Sequence, residues 1–204
     1  GGFHIDPWQP VDTAVVTHAH ADHARPGSRR YICTPATAQV IAERFAGAAP
    51  DDTRQAAPPV IEPLDYGTPR DLGDVRITLF PAGHVYGSAQ VLVDDGHERW
   101  IATGDYKRDA DPTCRPFEPV SADVFITEAT FGLPVYRWRP ADEVVSDIRQ
   151  WWESAPDRAS LLFCYAFGKT QRILAELARH TDGPVYLHGA AVGLTDLYRR
   201  EGIN

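Results

Sequence analysis

The chain has 204 residues, of which 43% are hydrophobic and 24% charged, and its formal net charge is −8. This composition excludes an intrinsically disordered chain, and no run approaches the roughly 18 consecutive apolar residues of a membrane helix. Three distant cysteines, Cys33, Cys114 and Cys164, argue against a disulfide framework and fit a reducing compartment. The excess of Arg over Lys suggests a GC-rich bacterial genome. Because the cysteines fit a reducing compartment and no membrane helix is present in the sequence, we expect a cytoplasmic protein without membrane association.

The first two thirds of the chain predict mostly short strands bounded by Gly, Pro and Asp. These strands are 11–17, 60–64, 75–80, 89–93, 99–103 and 124–127. Asp94-Asp95-Gly96 predicts a hairpin turn between two of them. One helix is expected here, capped by Thr34 and starting at Pro35, with Ile41 and Phe45 four residues apart. Residues 46–59, which contain three prolines, predict a surface loop.

Helices and strands alternate after residue 133. Helices are predicted from Pro140, around Ile173, Leu174 and Leu177, and around Leu194, Leu197 and Tyr198; strands are predicted at 161–165 and 185–188. In the first helix, Val144, Ile148 and Trp151 are expected to share the buried face. This alternation is typical of βαβ units with a parallel sheet. We therefore predict two domains, 1–132 and 133–204.

The strongest chemical signal is a cluster of metal-ligand side chains directly after the first predicted strand. His18, His20, Asp22 and His23 lie within six residues and are separated by alanines. In a loop that leaves a strand, His18 and His20 can converge on one metal ion while Asp22 and His23 point at a second. The alternative is a surface histidine cluster that arose by chance.

Two later positions share this context. His84 follows Gly83 after a predicted strand, and Asp105 follows Gly104 after another. Glycine lets the backbone approach a bound ion closely. Each residue alone is also typical of a turn, but the first cluster favours both as further ligands.

The order His18-x-His20-x-Asp22-His23, His84, Asp105 resembles the metallo-β-lactamase superfamily. Residues 127–132, Thr-Glu-Ala-Thr-Phe-Gly, are similar to the acidic motif that opens the inserted cap of the β-CASP nucleases, and Gly83-His84-x-x-Gly87-Ser88 fits the same branch. Stretches that resemble the bacterial DNA ligase-associated exonucleases are 2–8, 23–27, 104–109, 130–134 and 187–190.

The resemblance implies an α/β fold, with a metallo-β-lactamase αββα sandwich in the N-terminal part and a partial β-CASP-like βαβ cap. It also implies two Zn²⁺ ions, with Mn²⁺ as the alternative. His18, His20 and His84 would hold one ion, Asp22 and His23 the other, with Asp105 between both.

Other roles follow from the same resemblance. Asp6 would support the metal cluster, although an Asp-Pro turn is the alternative. Glu128 would orient a ligating histidine. Asp22 would hold or deprotonate the nucleophilic water, so that Asp22 and Asp105 are the predicted catalytic residues.

The implied activity is a metal-dependent DNA exonuclease that acts on DNA ends in repair, associated with an ATP-dependent DNA ligase and a helicase. Lys169 and Arg172, at a predicted helix start, are candidate contacts to the phosphate backbone, with a solvated helix face as the alternative. His188 is a further candidate substrate contact. The alternatives are a β-CASP ribonuclease, a small-molecule hydrolase of the lactamase or glyoxalase type, and a non-enzymatic scaffold. Because the chain has no Met and nothing after residue 132 resembles the returning segment of such nucleases, we also expect an incomplete, poorly active fragment with an uncovered apolar sheet face.

Overall fold

The computed structural model describes residues 2–46 and 58–203. The chain divides into two compact units, Gly1–Glu128 and Ala129–Asn204. The division falls four residues before the predicted domain boundary. Most of the loop predicted at 46–59 lies outside the described residues.

The first sheet of the N-terminal unit has four parallel strands in the order β1-β2-β3-β4. They are β1 (His4–Ile5), β2 (Thr13–Val15), β3 (Arg30–Cys33) and β4 (Val60–Pro63). All three residues of β2 are buried, as expected for an interior strand of a parallel sheet that is covered on both faces. The loop after β2 therefore starts from a rigid position.

The second sheet has five strands in sequence order, antiparallel except for the last pair. They are β5 (Pro69–Leu72), β6 (Val75–Pro81), β7 (Ala89–Asp94), β8 (Arg99–Ala102) and β9 (Val124–Ile126). The six strands predicted in the first two thirds of the chain are thus confirmed, whereas β1, β3 and β5 were not predicted. The hairpin predicted at Asp94-Asp95-Gly96 is also present, with Gly96 at a φ of 84°.

The two sheets pack face to face. One hydrophobic cluster joins Val15 and Ile32 of the first sheet to Ile77, Leu79 and Val91 of the second. Alternate residues of β6 point into this cluster, because side chains along a strand alternate between its faces. This core fixes the ends of β2, β6 and β8 relative to one another.

Helix α1 (Pro35–Ala46) packs beside the first sheet and buries Val40 and Ile41. The Thr34 hydroxyl accepts a hydrogen bond from the Thr37 amide at 3.1 Å, so the predicted cap is confirmed.

In the second sheet, Trp100, Phe125 and Ile126 are exposed.

The C-terminal unit contains the three predicted helices, α2 (Ala141–Glu153), α3 (Lys169–Leu177) and α4 (Gly189–Arg200). In α2 the expected packing face is wrong by one position. Val145 is buried, whereas Val144 and Trp151 are 41% and 49% exposed. The neighbour α3, and not the helical period alone, decides which face of α2 is covered.

The strands predicted at 161–165 and 185–188 do not form in the part of the chain that the structure describes. Both segments lack the ladder of backbone hydrogen bonds that defines a strand. Phe163 and Tyr186 are 94% and 90% exposed. The apolar pattern of these segments was typical of strands, but a strand forms only where another strand pairs with it.

No helix within the described ranges is long and apolar enough to cross a membrane. No disulfide joins Cys33, Cys114 and Cys164, all three of which lie in the described ranges.

Candidate metal centre

Three loops of the N-terminal unit meet at one end of the two sheets. The first follows β2 and carries His18, His20, Asp22 and His23; the second joins β6 to β7 and carries His84; the third follows β8 and carries Asp105. Backbone hydrogen bonds connect them, from the Ala89 amide to the Thr17 carbonyl at 2.8 Å and from the Lys107 amide to the Ala82 carbonyl at 3.0 Å.

Two glycines make this close approach of the loops feasible. Gly104 has a φ of 55°, and a Cβ there would lie 2.5 Å from the Thr17 hydroxyl oxygen. Gly83 has a φ of 72°, and a Cβ there would lie 2.3 Å from the Lys107 carbonyl oxygen. Any larger residue would push the loops apart and separate the side chains that follow.

Four donor groups converge between the loops. Donor atoms of His18, His20, His84 and Asp105 all lie within 4.8 Å of one another. The His20 Nδ1 lies 2.9 Å from the His18 Nε2 and 3.2 Å from the His84 Nε2. The Asp105 Oδ2 lies 3.8 Å and 3.6 Å from the same two Nε2 atoms.

These separations fit a bound ion. Ligand atoms about 2.0–2.1 Å from a tetrahedral ion lie roughly 3.3 Å apart, and three imidazoles with one carboxylate are a donor set that suits zinc. His18 is fully buried, so its nitrogen has few partners other than the neighbouring donors. The residues present therefore fit a divalent metal.

A second group lies beside the first and shares Asp105. The His23 Nε2 lies 3.4 Å from the Asp105 Oδ1 and 3.7 Å from the Asp22 Oδ2. The side chain of Asp22 is 68% exposed, whereas that of His23 is only 20% exposed. Asp105 thus faces both groups, one with each carboxylate oxygen.

Asp6 fixes the orientation of His18, through Thr17, and of His23 directly. Its carboxylate accepts hydrogen bonds from the Thr17 amide at 2.8 Å and the Thr17 hydroxyl at 2.6 Å, and it lies 2.7 Å from the His23 Nδ1. The only proton of the Thr17 hydroxyl is used in its hydrogen bond to Asp6. The Thr17 oxygen therefore accepts a hydrogen bond from the His18 Nδ1 at 3.1 Å. When His18 and His23 are neutral, each therefore carries its proton on Nδ1 and directs an unprotonated Nε2 toward the donor cluster.

Asp6 holds this position with an unusual backbone. Its φ is 45°, the only positive value of a non-glycine residue in the described ranges. Its amide donates to the Val15 carbonyl at 3.0 Å, which ties it to β2. Such a conformation is rare for residues other than glycine and is most accessible to Asn and Asp.

Charge and burial set the protonation of the cluster. Burial, followed by repulsion from the neighbouring histidines, holds the pKa of His18 well below 6.5. Burial and repulsion from His20 lower the pKa of His84 to about 4, against the attraction of Asp105. These two imidazoles are therefore neutral at pH 7, as a metal ligand must be.

His23 behaves differently. Burial lowers its pKa, but hydrogen bonds to Asp105 and Asp6 outweigh burial and raise the pKa to about 10. The same contact with His23 lowers the pKa of the Asp105 carboxyl. The carboxylates of Asp105 and Asp6 thus favour a positive charge at His23, which a proton supplies when no metal is bound.

The remaining predicted residues are placed as follows. Glu128 follows β9, the parallel neighbour of the strand that leads to Asp105, and so belongs to the same edge of the second sheet. Lys169, Arg172 and His188 belong to the C-terminal unit. The Lys169 Nζ lies 5.4 Å above the Tyr165 ring, and the His188 Nδ1 accepts from the Ala190 amide as the N-cap of α4.

Two contributors were missed by the sequence analysis. Thr17 connects Asp6 to His18, and its position directly before the histidine motif was the available signal. Arg44 of α1 donates to the carbonyls of Ala19 and Ala24 and so holds the histidine loop. No local signal marks Arg44, because it lies 25 residues from Ala19 in the chain.

A cavity of about 360 Å³ lies in the C-terminal unit between α3 and α4. Its walls are mostly apolar and include Leu174, Leu187 and Tyr198. It contains none of the metal-ligand residues.

A fold of two packed sheets with an HxHxDH loop at their edge defines a metal-binding hydrolase scaffold, and comparison with known proteins agrees. Residues 3–131 match the family model of the beta-lactamase superfamily domain. The chain therefore belongs to the metallo-β-lactamase superfamily. Its similarity to nucleases, given next, places it in the β-CASP branch of that superfamily.

Three relatives illustrate this placement. A protein named probable DNA ligase from Opitutus terrae is 32% identical over 206 residues, which cover 99% of this chain and 19% of that protein. A ribonuclease of Thermus thermophilus is 30% identical, over 97% of this chain and 51% of that protein. An endoribonuclease ysh1 of Aspergillus fumigatus is 30% identical, over 56% of this chain and 17% of that protein.

The chain thus spans between 17% and 51% of the length of these relatives. Among solved structures, a protein of unknown function from Enterococcus faecalis superimposes with a TM-score of 0.60 at 14% identity. The match covers 90% of this chain and 48% of that one. It supports the fold.

Proposed function

We propose that this protein is a metal-dependent nuclease that hydrolyses phosphodiester bonds at DNA ends. The observation that carries the proposal is the convergence of His18, His20, His84 and Asp105, with His23 and Asp22 directly beside them. The similarity to the probable DNA ligase over 99% of this chain supports a role on DNA. A small-molecule hydrolase is disfavoured because the relatives named above act on nucleic acids by name.

Two ions would be held by the two groups described above. His18, His20, His84 and Asp105 would hold the first, and Asp22, His23 and Asp105 the second. Zn²⁺ suits this donor set, and Mn²⁺ is the alternative. When bound, two such ions lower the pKa of a shared water and neutralise phosphate charge.

The chain's own residues would supply orientation and proton transfer. Asp22 has an exposed carboxylate at the edge of the second group and would accept the proton of the attacking water. Asp6 and Thr17 would keep His18 and His23 in the required tautomers. Glu128 would orient a ligating histidine from the neighbouring strand end.

Substrate contacts outside the centre are proposed for Lys169, Arg172 and His188. The net charge of −8 does not itself favour DNA. Local cations, together with the charge of bound metal ions, would reverse the sign of the potential at the site.

The test is degradation of end-labelled DNA by the protein purified with Zn²⁺ or Mn²⁺, together with its metal content. We expect about two ions per chain, cleavage that a chelator abolishes, and loss of both metal and cleavage in His20→Ala. His97→Ala is the matched control, because His97 lies in the β7–β8 turn outside the cluster. Intact DNA after incubation with the fully metal-loaded protein would contradict the proposal.

A ribonuclease is the second candidate, because relatives from Thermus and Aspergillus carry ribonuclease names. Rates on DNA and RNA strands of matched sequence decide between them. We propose DNA as the better substrate. A higher rate on RNA would mean that the same metal centre serves a ribonuclease.

The proposed setting is DNA repair in the bacterial cytoplasm, with an ATP-dependent DNA ligase and a helicase as partners. Co-purification of a ligase with the tagged protein from its own cells tests the first partner.

A further inference from the structure

A tryptophan and an arginine form a stacked pair next to the metal-ligand residues. The Arg25 guanidinium carbon lies 4.5 Å from the centroid of the Trp8 ring. Trp8 is 73% exposed, although an indole is a large apolar surface to leave in water. Nothing in the proposed chemistry at the metal ions uses either residue.

The pair lies at the rim of the donor cluster. Trp8 follows Asp6 by two residues and Arg25 follows His23 by two, and the Asp6 carboxylate is 2.7 Å from the His23 Nδ1. Two residues of chain span at most about 7 Å, so both side chains start close to the second metal group.

The backbone beneath the pair is held firmly. The buried Tyr31 hydroxyl donates to the Arg25 carbonyl at 2.8 Å and accepts from the Ser28 amide at 2.9 Å. Gly27 has a φ of 109°, and a Cβ there would lie 2.8 Å from the Pro10 Cγ. The loops that carry Trp8 and Arg25 therefore lie against each other, and the Arg25 backbone is held by the Tyr31 hydroxyl.

Arg25 has no acidic partner in the part of the chain that the structure describes, whereas two arginines close to it in the sequence do. Arg29 pairs with Asp12, and Arg30 contacts Thr13 and Glu62. Within the described ranges, Arg25 forms no ion pair, and its buried Nε has no hydrogen-bond partner. A planar guanidinium with unused donors suits a phosphate group.

We propose that the Trp8–Arg25 pair binds the terminal nucleotide of the strand being degraded, which rests on the proposed nuclease function. Arg25 lies over one face of the indole, and because Trp8 is 73% exposed, a base would stack on the opposite face. The Arg25 guanidinium donates to the adjacent phosphate. Base stacking on an aromatic side chain tolerates any sequence, which suits an enzyme that must process every end.

The stacking contact is tested by steady-state cleavage of two end-labelled strands, one normal and one with an abasic residue at the end. We expect KM for the normal strand to rise about tenfold or more in Trp8→Ala, with kcat changing much less. The variant should no longer distinguish the two strands, whereas the wild type binds the abasic strand more weakly. Trp8→Phe should retain most of the discrimination.

Trp100→Ala is the matched control, since Trp100 is also exposed in the same unit but lies in β8 with its Nε1 donating to Glu98. It should leave KM unchanged. Equal discrimination between the strands in wild type and Trp8→Ala would overturn the stacking contact.

The phosphate contact is tested by the salt dependence of KM. Arg25→Ala should reduce the slope of log KM against log salt by about 0.7, the value for one phosphate contact on a single strand. Arg25→Lys should restore the slope but not the full affinity, because lysine lacks the planar fork. Arg29→Ala, which removes an already paired arginine, is the control and should leave the slope unchanged.

The two proposals fail in different ways. If the metal-loaded wild type cleaves no nucleic acid, the proposed function fails. If it cleaves DNA but Trp8→Ala and Arg25→Ala behave like Trp100→Ala and Arg29→Ala, only the terminal-nucleotide site is wrong. Unchanged thermal midpoints and metal contents in the variants exclude misfolding as the cause of a loss.

Discussion

The apolar side chains of the two compact units are buried to very different extents. In the N-terminal unit, Ile77 and Leu79 of β6 are fully buried between two sheets. In the C-terminal unit, Leu161 and Phe163 are 72% and 94% exposed, although their pattern is equally typical of a strand. The reason is that a helix forms from hydrogen bonds within its own segment, whereas a strand requires a partner.

The largest expected contrast comes from leucine deletions in the two units. Leu79→Ala should lower the free energy of unfolding by about 2–5 kcal/mol, because it leaves a cavity between the sheets. Leu161→Ala should change it by about 0.5 kcal/mol or less, because the side chain is already in water. Urea unfolding followed by circular dichroism measures both. A similar cost for the two variants would contradict the difference in burial between the two units.

Glycine substitutions test the same difference in packing between the two units. Gly104→Ala should destabilise the protein by about 1–3 kcal/mol, since the added Cβ meets buried Thr17 at a positive φ. Gly189→Ala, at the start of α4 with no atom within 4 Å, should stabilise it by about 0.4–1 kcal/mol. Differential scanning calorimetry should show opposite shifts in Tm. A loss of stability in Gly189→Ala would mean that the C-terminal unit is packed more tightly than described.

Asp6→Asn tests the hydrogen-bond chain that orients the histidines of the N-terminal unit. Asparagine tolerates the positive φ, so the backbone should remain, but its amide cannot replace a carboxylate that serves Thr17 and His23 together. Metal affinity should fall about 10- to 100-fold in competition with a chelating dye. Asp12→Asn, which alters an exposed acid paired with Arg29, is the control. Equal affinities in the two variants would remove Asp6 from the metal centre.

The reactivity of the cysteines tests the same difference in burial between the two units. Cys33 is fully buried, and burial raises the pKa of its thiol to about 12. It should react with a thiol reagent at pH 8 far more slowly than Cys164, which is half-buried in the segment 161–165. Mass spectrometry of the labelled peptides gives the order. Faster labelling of Cys33 would indicate that the β3 region opens.

The same thiol gives a pH dependence with a definite sign. Above the ordinary pKa of about 9, the unfolded chain releases the Cys33 proton while the folded chain retains it. The unfolded state then binds fewer protons, so this group makes stability fall as pH rises from about 9 to about 12, at up to about 1.4 kcal/mol per pH unit. Cys33→Ala should flatten that part of the stability curve.

Sequence patterns predicted most of the N-terminal unit because its signals are local. A strand that ends in a run of ligand types, such as the one before His18, identifies both an element and its chemistry. The positions of Glu128 and Asp105 on neighbouring strand ends could be anticipated only through the family resemblance, since pairing of β8 with β9 is set by tertiary contacts.

Contacts between residues far apart in the chain could not be predicted from local sequence patterns. Arg44 reaches the histidine loop across 25 residues, and the buried face of α2 depends on α3. The Trp8–Arg25 stack joins two loops that the chain separates by 17 residues. In each case the pattern fixed the residue type but not its neighbour in space.

The donors of the first metal group come from both sheets, His18 and His20 from the loop after β2, and His84 and Asp105 from the loops after β6 and β8. An ion held there would add a link between the two halves of the sandwich, beside the hydrogen bond from the Ala89 amide to the Thr17 carbonyl. Amide hydrogen exchange in β2 and β8 should then slow in concert as metal is added, by an amount that tracks the ratio of free metal to its Kd. Metal supply would in this way set the lifetime of the folded protein as well as its activity.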